Sequence, residues 1–425
     1  MKNHRKIFID KITNNFNPKE DLVLGPWCLK HDFSIEKIYE FKSKGIFFED
    51  NLIENSQAFC SVESQHKRLL EEISFYVKDI NRGKESIDFY KNFLNYWFYY
   101  FINVFHFSER IADLYINKFK NENIELIKYY ECNSLTFKNV HEFYNKTAYD
   151  EVFLSNLVLD LIKIKIPQNW KITYLDNFNH NNKIIENLKN ESLLHKVFKF
   201  LDKILSSRVR NVYGFGKFER IILSLILVIK SPLKKDFIKC DYYSNLSVKP
   251  FDPPISDKKL MELAKKYIPL SFTKILKKKV KKRNLKGKIM LCSAPSLFTN
   301  EEEQFKLLSF KENGGKLLSV QHGSSYGDLF FQCNQAEYSF DKFISWGHKN
   351  HPNFNLQFEP LPSPQLKKMK QSMFSKKILF VTTSCLFYVP RYGKRDFSDS
   401  FFRYRNTIDF FNKINPDLLK KIEFK

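Results

Sequence analysis

Residues 288–327 read KIMLCSAPSLFTNEEEQFKLLSFKENGGKLLSVQHGSSYG, and their order of apolar runs, caps and glycines decides the fold. Lys288 to Cys292 is a short apolar run of strand type. Asn300 stands before three glutamates, so its side chain can cap a helix whose first turn carries the negative charge that a helix amino terminus favours. Gly314-Gly315 stops that helix, and Lys316 to Val320 forms a second strand. Strand, helix and strand in this span make a β-α-β unit, whose two strands run parallel. Gln321-His322-Gly323-Ser324-Ser325-Tyr326-Gly327 follows at the carboxyl end of the second strand, where open α/β sheets bind ligands. Glycine and serine let a ligand approach the backbone closely, and a histidine is a side chain that can titrate near neutral pH, so His322 heads the candidate catalytic residues.

A chain of 425 residues, 43% of them hydrophobic, can bury a sizeable core and is long enough for two or three domains. Its 70 basic against 47 acidic residues give a formal charge of +23, which favours nucleic acid, a membrane surface or phosphorylated substrates. A genome bias toward the A/T-rich codons of Lys, Asn, Ile, Phe and Tyr is the alternative source of the lysine excess. The seven cysteines are scattered without a CxxC pair, which points away from a zinc site and from a disulfide framework, and no metal is expected. MKNHRKIFIDKITNNF lacks an apolar segment of signal-peptide length, so a cytoplasmic protein is expected. Phe93 to Phe107 and Ile221 to Ile229 are apolar but shorter than the roughly 20 residues of a spanning helix, and read as core helices.

Taken in order, Asp21 to Leu24 reads as a strand that delivers Gly25-Pro26-Trp27-Cys28-Leu29 to a cleft, with Trp27 either capping the core or facing a ligand. Helical material follows from Ser64 to about Phe119 and again within 137–163, while 168–192 is polar, rich in asparagine and expected as loop. Leu193 to Leu205 is again helical in pattern. Gly214 and Gly216 lack the third glycine and the preceding strand of a dinucleotide fingerprint, and read as a turn before the apolar run at Ile221. Lys258 to Tyr267 is helical, and 274–288 holds nine basic residues among fifteen positions with no aromatic to stack a base. A solvated face or one resting on anionic lipid is the more economical reading of that run, and nucleic acid is not expected as a partner. Asp341 to Trp346 is a further strand, three prolines mark 353–375 as a linker, and Lys376 to Thr383 is a fresh parallel-type strand followed by a helix over 401–414.

Leu24 to Leu29, the Gln321 to Gly327 loop, Ser345-Trp346-Gly347 and the strand ending Thr382-Thr383-Ser384 occur together in this order. With them the chain resembles the transferases encoded in bacterial O-antigen and surface-polysaccharide gene clusters, which look like glycosyltransferases of the two-domain GT-B architecture and, more distantly, Kdo and CDP-glycerol transferases. The resemblance implies an α/β fold with residues 1–352 as one Rossmann-like acceptor-side domain carrying large helical insertions. Residues 376–425 then begin a donor-side Rossmann-like domain. With about fifty residues that second domain is expected to be incomplete, completed by a separately encoded half or missing from a degenerate copy.

The implied activity moves a sugar or sugar-like unit from a nucleotide-activated donor to a glycan or polyprenyl-phosphate-linked acceptor, without a further cofactor. His322 is then a general base or a phosphate donor, the alternative being a histidine satisfied by loop backbone. Gln321, Gly323, Ser324, Ser325, Tyr326 and Gly327 would line the substrate, the backbone NH groups forming an anion nest and Tyr326 bonding a sugar. Trp27 and Trp346 offer ring faces to sugar CH groups. Arg391, Lys394 and Arg395 are the candidates to face donor phosphates, or else belong to an ordinary solvated loop. Peripheral contact with the inner membrane face fits the basic surface. The competing readings are a truncated inactive copy and a basic, non-catalytic binding module for nucleic acid or for a membrane or export partner.

Overall fold

The computed structural model describes residues 4–48, 55–130, 136–149, 151–176, 209, 217–229, 257–275, 283–293, 300–321, 340–347, 349, 358–363, 378–380 and 397–424. The chain opens with strands Arg5–Phe8 (β1) and Leu22–Val23 (β2), a 3-10 turn at Pro26–Leu29, and helices Ile35–Ser43 (α1), Asn55–Asn81 (α2) and Ile87–Phe119 (α3). Strand Ile124–Tyr130 (β3), helices Val140–Tyr149 (α4) and Glu151–Lys165 (α5), and strand Trp170–Asp176 (β4) follow. The four strands form one parallel sheet in the order β2-β1-β3-β4. Parallel neighbours need a crossover on a sheet face, and the long helical crossover between β2 and β3 is the insertion that the sequence pattern placed after its first strand.

Three of these strands go beyond the sequence reading. β1 and β3 flank the centre of the sheet, and residues 170–176, expected as loop, form β4 instead. In β4, Trp170 is buried and Ile172 and Tyr174 pack beside it on one side. On the other side, Thr173 donates to Glu125 at 2.7 Å and Lys171 pairs with the same carboxylate at 3.1 Å, a cross-strand contact with β3. Two-residue alternation over seven residues was therefore enough to make an edge strand of a polar segment.

Helix α3 is the centre of the molecule. All but a few of its residues from Phe89 to Phe105 are buried, so the aromatic run is a core helix. Its 33 residues span roughly 50 Å, and a helix apolar on every side needs neighbours on every side. Helices Lys217–Ile229 (α6), Asp257–Tyr267 (α7) and Leu270–Ile275 (α8) come next in the chain. Phe272 of α8 packs edge-on to Phe93 and Trp97 with ring centroids 5.2 and 5.7 Å away.

The second sheet contains Ile289–Cys292 (β5), then helix Glu301–Glu312 (α9), Lys316–Val320 (β6), Lys342–Ser345 (β7) and Phe358–Pro360 (β8). Its strands are parallel in the order β5-β6-β7-β8, with Val209 bridging to Leu291 at the outer side. The expected β-α-β unit is present: Asn300 accepts from the Glu303 NH at 3.1 Å, and the helix ends on Gly314, whose φ of +86° suits glycine. The strands up to β8 divide between two parallel sheets, and β8 lies inside the stretch read as a linker. As an edge strand that ends on Pro360, β8 places a residue without an NH where none is needed.

One continuous apolar cluster joins the two halves, because Phe305 of α9 meets Phe89 and Phe93 of α3 and Met290 and Leu317 of the second sheet belong to the same core. Polar ties repeat the connection. Ser86 donates through its NH and its hydroxyl to Glu312, each at 2.7 Å; Gln304 donates to the carbonyls of Asn92 and Phe93; and buried Glu301 accepts from the Val140 NH and the Ser271 hydroxyl. Farther on, Ile378–Phe380 (β9), Phe397–Lys413 (α10), Pro416–Leu419 (α11) and Ile422–Phe424 (β10) form a strand-helix-strand unit with β9 and β10 parallel.

Glu109 of α3 is buried with its nearest charge, Lys165, at 3.8 Å, and burial pushes its carboxyl up to about 8. An acid whose pKa is raised on folding destabilises the fold as pH rises from its unfolded value, near 4.5, through the folded one. Glu109→Gln is therefore expected to raise stability by about 1 kcal/mol or more at pH 8 and to change it little at pH 4, measured by chemical denaturation at both values.

Candidate functional site

Both four-stranded sheets present carboxyl ends, and the two ends differ in kind. In the first, Ile9 continues β1 by donating its NH to the Ile127 carbonyl, and Asp10 follows. Asp10 is fully buried, accepts from the backbone NH groups of Lys11 and Tyr129 at 3.0 and 2.9 Å, and pairs with the fully buried Lys128 ammonium at 3.3 Å. Lys128 also donates to the Ser155 hydroxyl of α5 at 2.9 Å. Trp27 is 2% exposed and donates its indole NH to the Ile9 carbonyl at 3.0 Å. Gly25 lies so close beneath that ring that a Cβ there would stand 2.2 Å from it. This corner is closely packed, with the Trp27 ring buried in the core of the first sheet.

The second sheet ends in small and polar side chains. Ser293 after β5, Ser319 in β6 and Ser345 in β7 are fully buried, and Gln321 is nearly so. Gln321 donates its NH to the Ile344 carbonyl at 2.9 Å, and its side-chain oxygen accepts from the Trp346 NH at 2.7 Å. A side-chain amide so continues the β6–β7 ladder one step beyond the last backbone pair. It ties the end of β6 to the Trp346-Gly347 turn. Gly347 adopts φ +115° with open space around it, a backbone state that glycine enters freely. Among the described residues, the buried indole NH of the half-buried Trp346 has no acceptor. Such a donor costs about 1–3 kcal/mol, which a ligand oxygen or a small ring rotation would relieve.

Of the residues singled out from the sequence, the structure joins Gln321 and Trp346 in one bond and places Trp27 elsewhere, in the core of the first sheet. His322, Gly323, Ser324, Ser325, Tyr326 and Gly327, with Arg391, Lys394 and Arg395, lie outside the described residues. Among the described residues, no three His, Cys, Asp or Glu side chains gather as metal ligands would. Asp10 and Lys128 were missed. Their signals were an aspartate closing KIFID and a lysine inside the apolar run IELIKYY, each unremarkable until the strands pair.

Removing one member of a buried ion pair strands the other, so Lys128→Ala is expected to lower stability by about 3–5 kcal/mol, with a milder loss in the paired change Asp10→Asn with Lys128→Met, measured by urea denaturation. Gln321→Ala leaves the Trp346 NH unpaired and is expected to lower stability by about 1–2 kcal/mol while moving the Trp346 fluorescence spectrum relative to wild type.

A family model described as LIC12162 family transferase matches residues 5–425, and the chain belongs to that family. No curated protein and no solved structure matches the chain.

Proposed function

We propose that this member of a transferase family moves a sugar or sugar-like unit from a nucleotide-activated donor to a glycan or polyprenyl-phosphate-linked acceptor, in the synthesis of a surface polysaccharide of O-antigen type. The observation that carries the reading is the Gln321–Trp346 bond at the carboxyl ends of two parallel strands, where an α/β sheet binds its ligand. Trp346 then brings a ring face and a donor NH to a sugar, and the residue next to Gln321 in the chain is a histidine.

In this reading His322 takes the proton of the acceptor hydroxyl as its oxygen attacks the anomeric carbon. The bond from that carbon to the phosphate oxygen breaks, and the departing nucleotide gathers negative charge. Backbone NH groups of Gly323 to Gly327 and the side chains of Arg391, Lys394 and Arg395 are suited to stabilise that charge. Residues up to 352 serve as the acceptor side and those from 376 as the donor side of a GT-B-like pair.

The test is a transfer assay with the purified chain, a panel of nucleotide-activated sugars and a lipid extract as acceptor. His322→Ala is expected to slow transfer about 10²- to 10⁴-fold without changing the melting temperature. A variant as fast as wild type removes His322 from the chemistry, and a folded protein that consumes no donor in the panel sinks the sugar-transfer reading.

A further inference from the structure

Helix α6 has the sequence KFERIILSLILVI, and its two faces differ in what covers them. On one, Leu223 and Leu227 pack against Val209 and Val320, with Leu291 and Ile344 in the same cluster, and Ser224 is buried. On the other, Phe218 is 73% exposed and Ile222, Leu225 and Ile226 are 40%, 48% and 41% exposed. These four recur at helical spacing and form one apolar stripe open to solvent. Lone exposed apolar residues need no explanation, but a stripe of four on one helix marks a contact surface.

The chain around α6 indicates what that contact is. Residues 208–239 carry eight basic and two acidic residues, and the whole chain carries +23. Two copies of so basic a chain repel one another, whereas an anionic surface attracts both. The helix has 13 residues, well below the roughly 20 needed to span a bilayer. Among the described residues no helix is long and apolar enough to cross a membrane.

We infer that the outer face of α6 seats on an anionic lipid bilayer, with Phe218, Ile222, Leu225 and Ile226 entering the boundary between headgroups and acyl chains. The chain's +23 charge supplies the attraction to lipid phosphates. Val320, which packs with Leu223 and Leu227 of α6, directly precedes Gln321, and Ile344 of the same cluster precedes Ser345. A bilayer on the outer side therefore lies about one helix diameter, roughly 10 Å, from the strand ends. A lipid-linked acceptor would meet the site there, a consequence that rests on the proposed transferase reading; the seating itself does not.

The test is co-sedimentation of the full chain with phosphatidylcholine vesicles, with and without about one third phosphatidylglycerol, compared with the exposed double variant Leu225→Glu/Ile226→Glu. Wild type is expected to bind the anionic vesicles, to bind neutral ones several-fold less, and to be released by high salt. The double variant, with an unchanged melting temperature, is expected to lose most of that binding. Equal binding of variant and wild type, or no binding of wild type to anionic vesicles, overturns the inference. So does a wild-type dimer, seen by light scattering, that the double variant converts to monomer, because the stripe would then belong to a second copy. Vesicle binding without transfer activity would leave the seating standing and count against the transferase reading alone.

Discussion

The enclosure of α3 is the constraint on which the rest of the structure depends. A helix with aromatic side chains on every side has no solvent face, and each exposed ring would forfeit the burial of a large apolar area. It therefore draws α2 and α5 from the first half of the chain and α8 and α9 from the second into one shell. Several of its polar groups are satisfied within that shell. Asn103 and Ser108 donate back to carbonyls one turn earlier, the Tyr100 and Thr147 hydroxyls lie 2.7 Å apart, and the Tyr115 hydroxyl donates to the Val23 carbonyl of β2 at 2.6 Å. Tyr115 also accepts from the Phe48 NH, so one side chain near the end of α3 holds both a strand and the segment after α1.

Polar contacts at the margins of this core fix orientation more than they add stability. His106 meets the Gln65 side chain at 2.6 Å, Gln65 donates to Asp257, and Arg68 donates to the same carboxylate through two nitrogens. This chain of bonds sets the first residue of α7 against α2 and α3. Its partly exposed Arg68–Asp257 end has the two-nitrogen geometry in which surface pairs do contribute. Burial pushes His106 down to about 4 and His66 down to about 3, so both imidazoles are neutral in the fold and resist protonation. Glu109 is displaced the opposite way, so acid and alkali weaken the same helix through different groups.

How much of this was legible in the sequence follows from the range of each interaction. The unit from Ile289 to Val320 was readable because its signals are local: a cap at Asn300, glycines at 314 and 315, and apolar runs on either side. The aromatic helix was readable because twelve apolar positions among the fifteen from Phe93 to Phe107 outweigh any turn signal. β1, with four residues, and β3, interrupted by Lys128, carry too few alternations to be told from loop, and only their mutual pairing explains them. The Asp10–Lys128 contact joins positions 118 apart, and no periodicity reports a pair at that separation. Trp27 shows the limit from the other side. Its place after a strand was read correctly, whereas the direction of its ring is set by the Ile9 carbonyl and by the missing side chain of Gly25. At Gln321 and Trp346 both residues were singled out, but their bond depends on the register of β6 against β7.

The second site also stands apart from the main core in how it is supported. Val209 and Val320 form their own small cluster under α6, separate from the large one around α3. An element held by few buried side chains opens at lower free energy than one rooted in the main core, so α6 and the strand ends beneath it form a locally adjustable part of a rigid frame. Covering the outer stripe of α6 would favour its seated position by mass action, and through the cluster around Val320 would also favour the strand ends in register. The Gln321–Trp346 bond requires that register, and Gln321 directly follows Val320. A surface contact on α6 and the Gln321–Trp346 bond are thus joined by one short column of side chains.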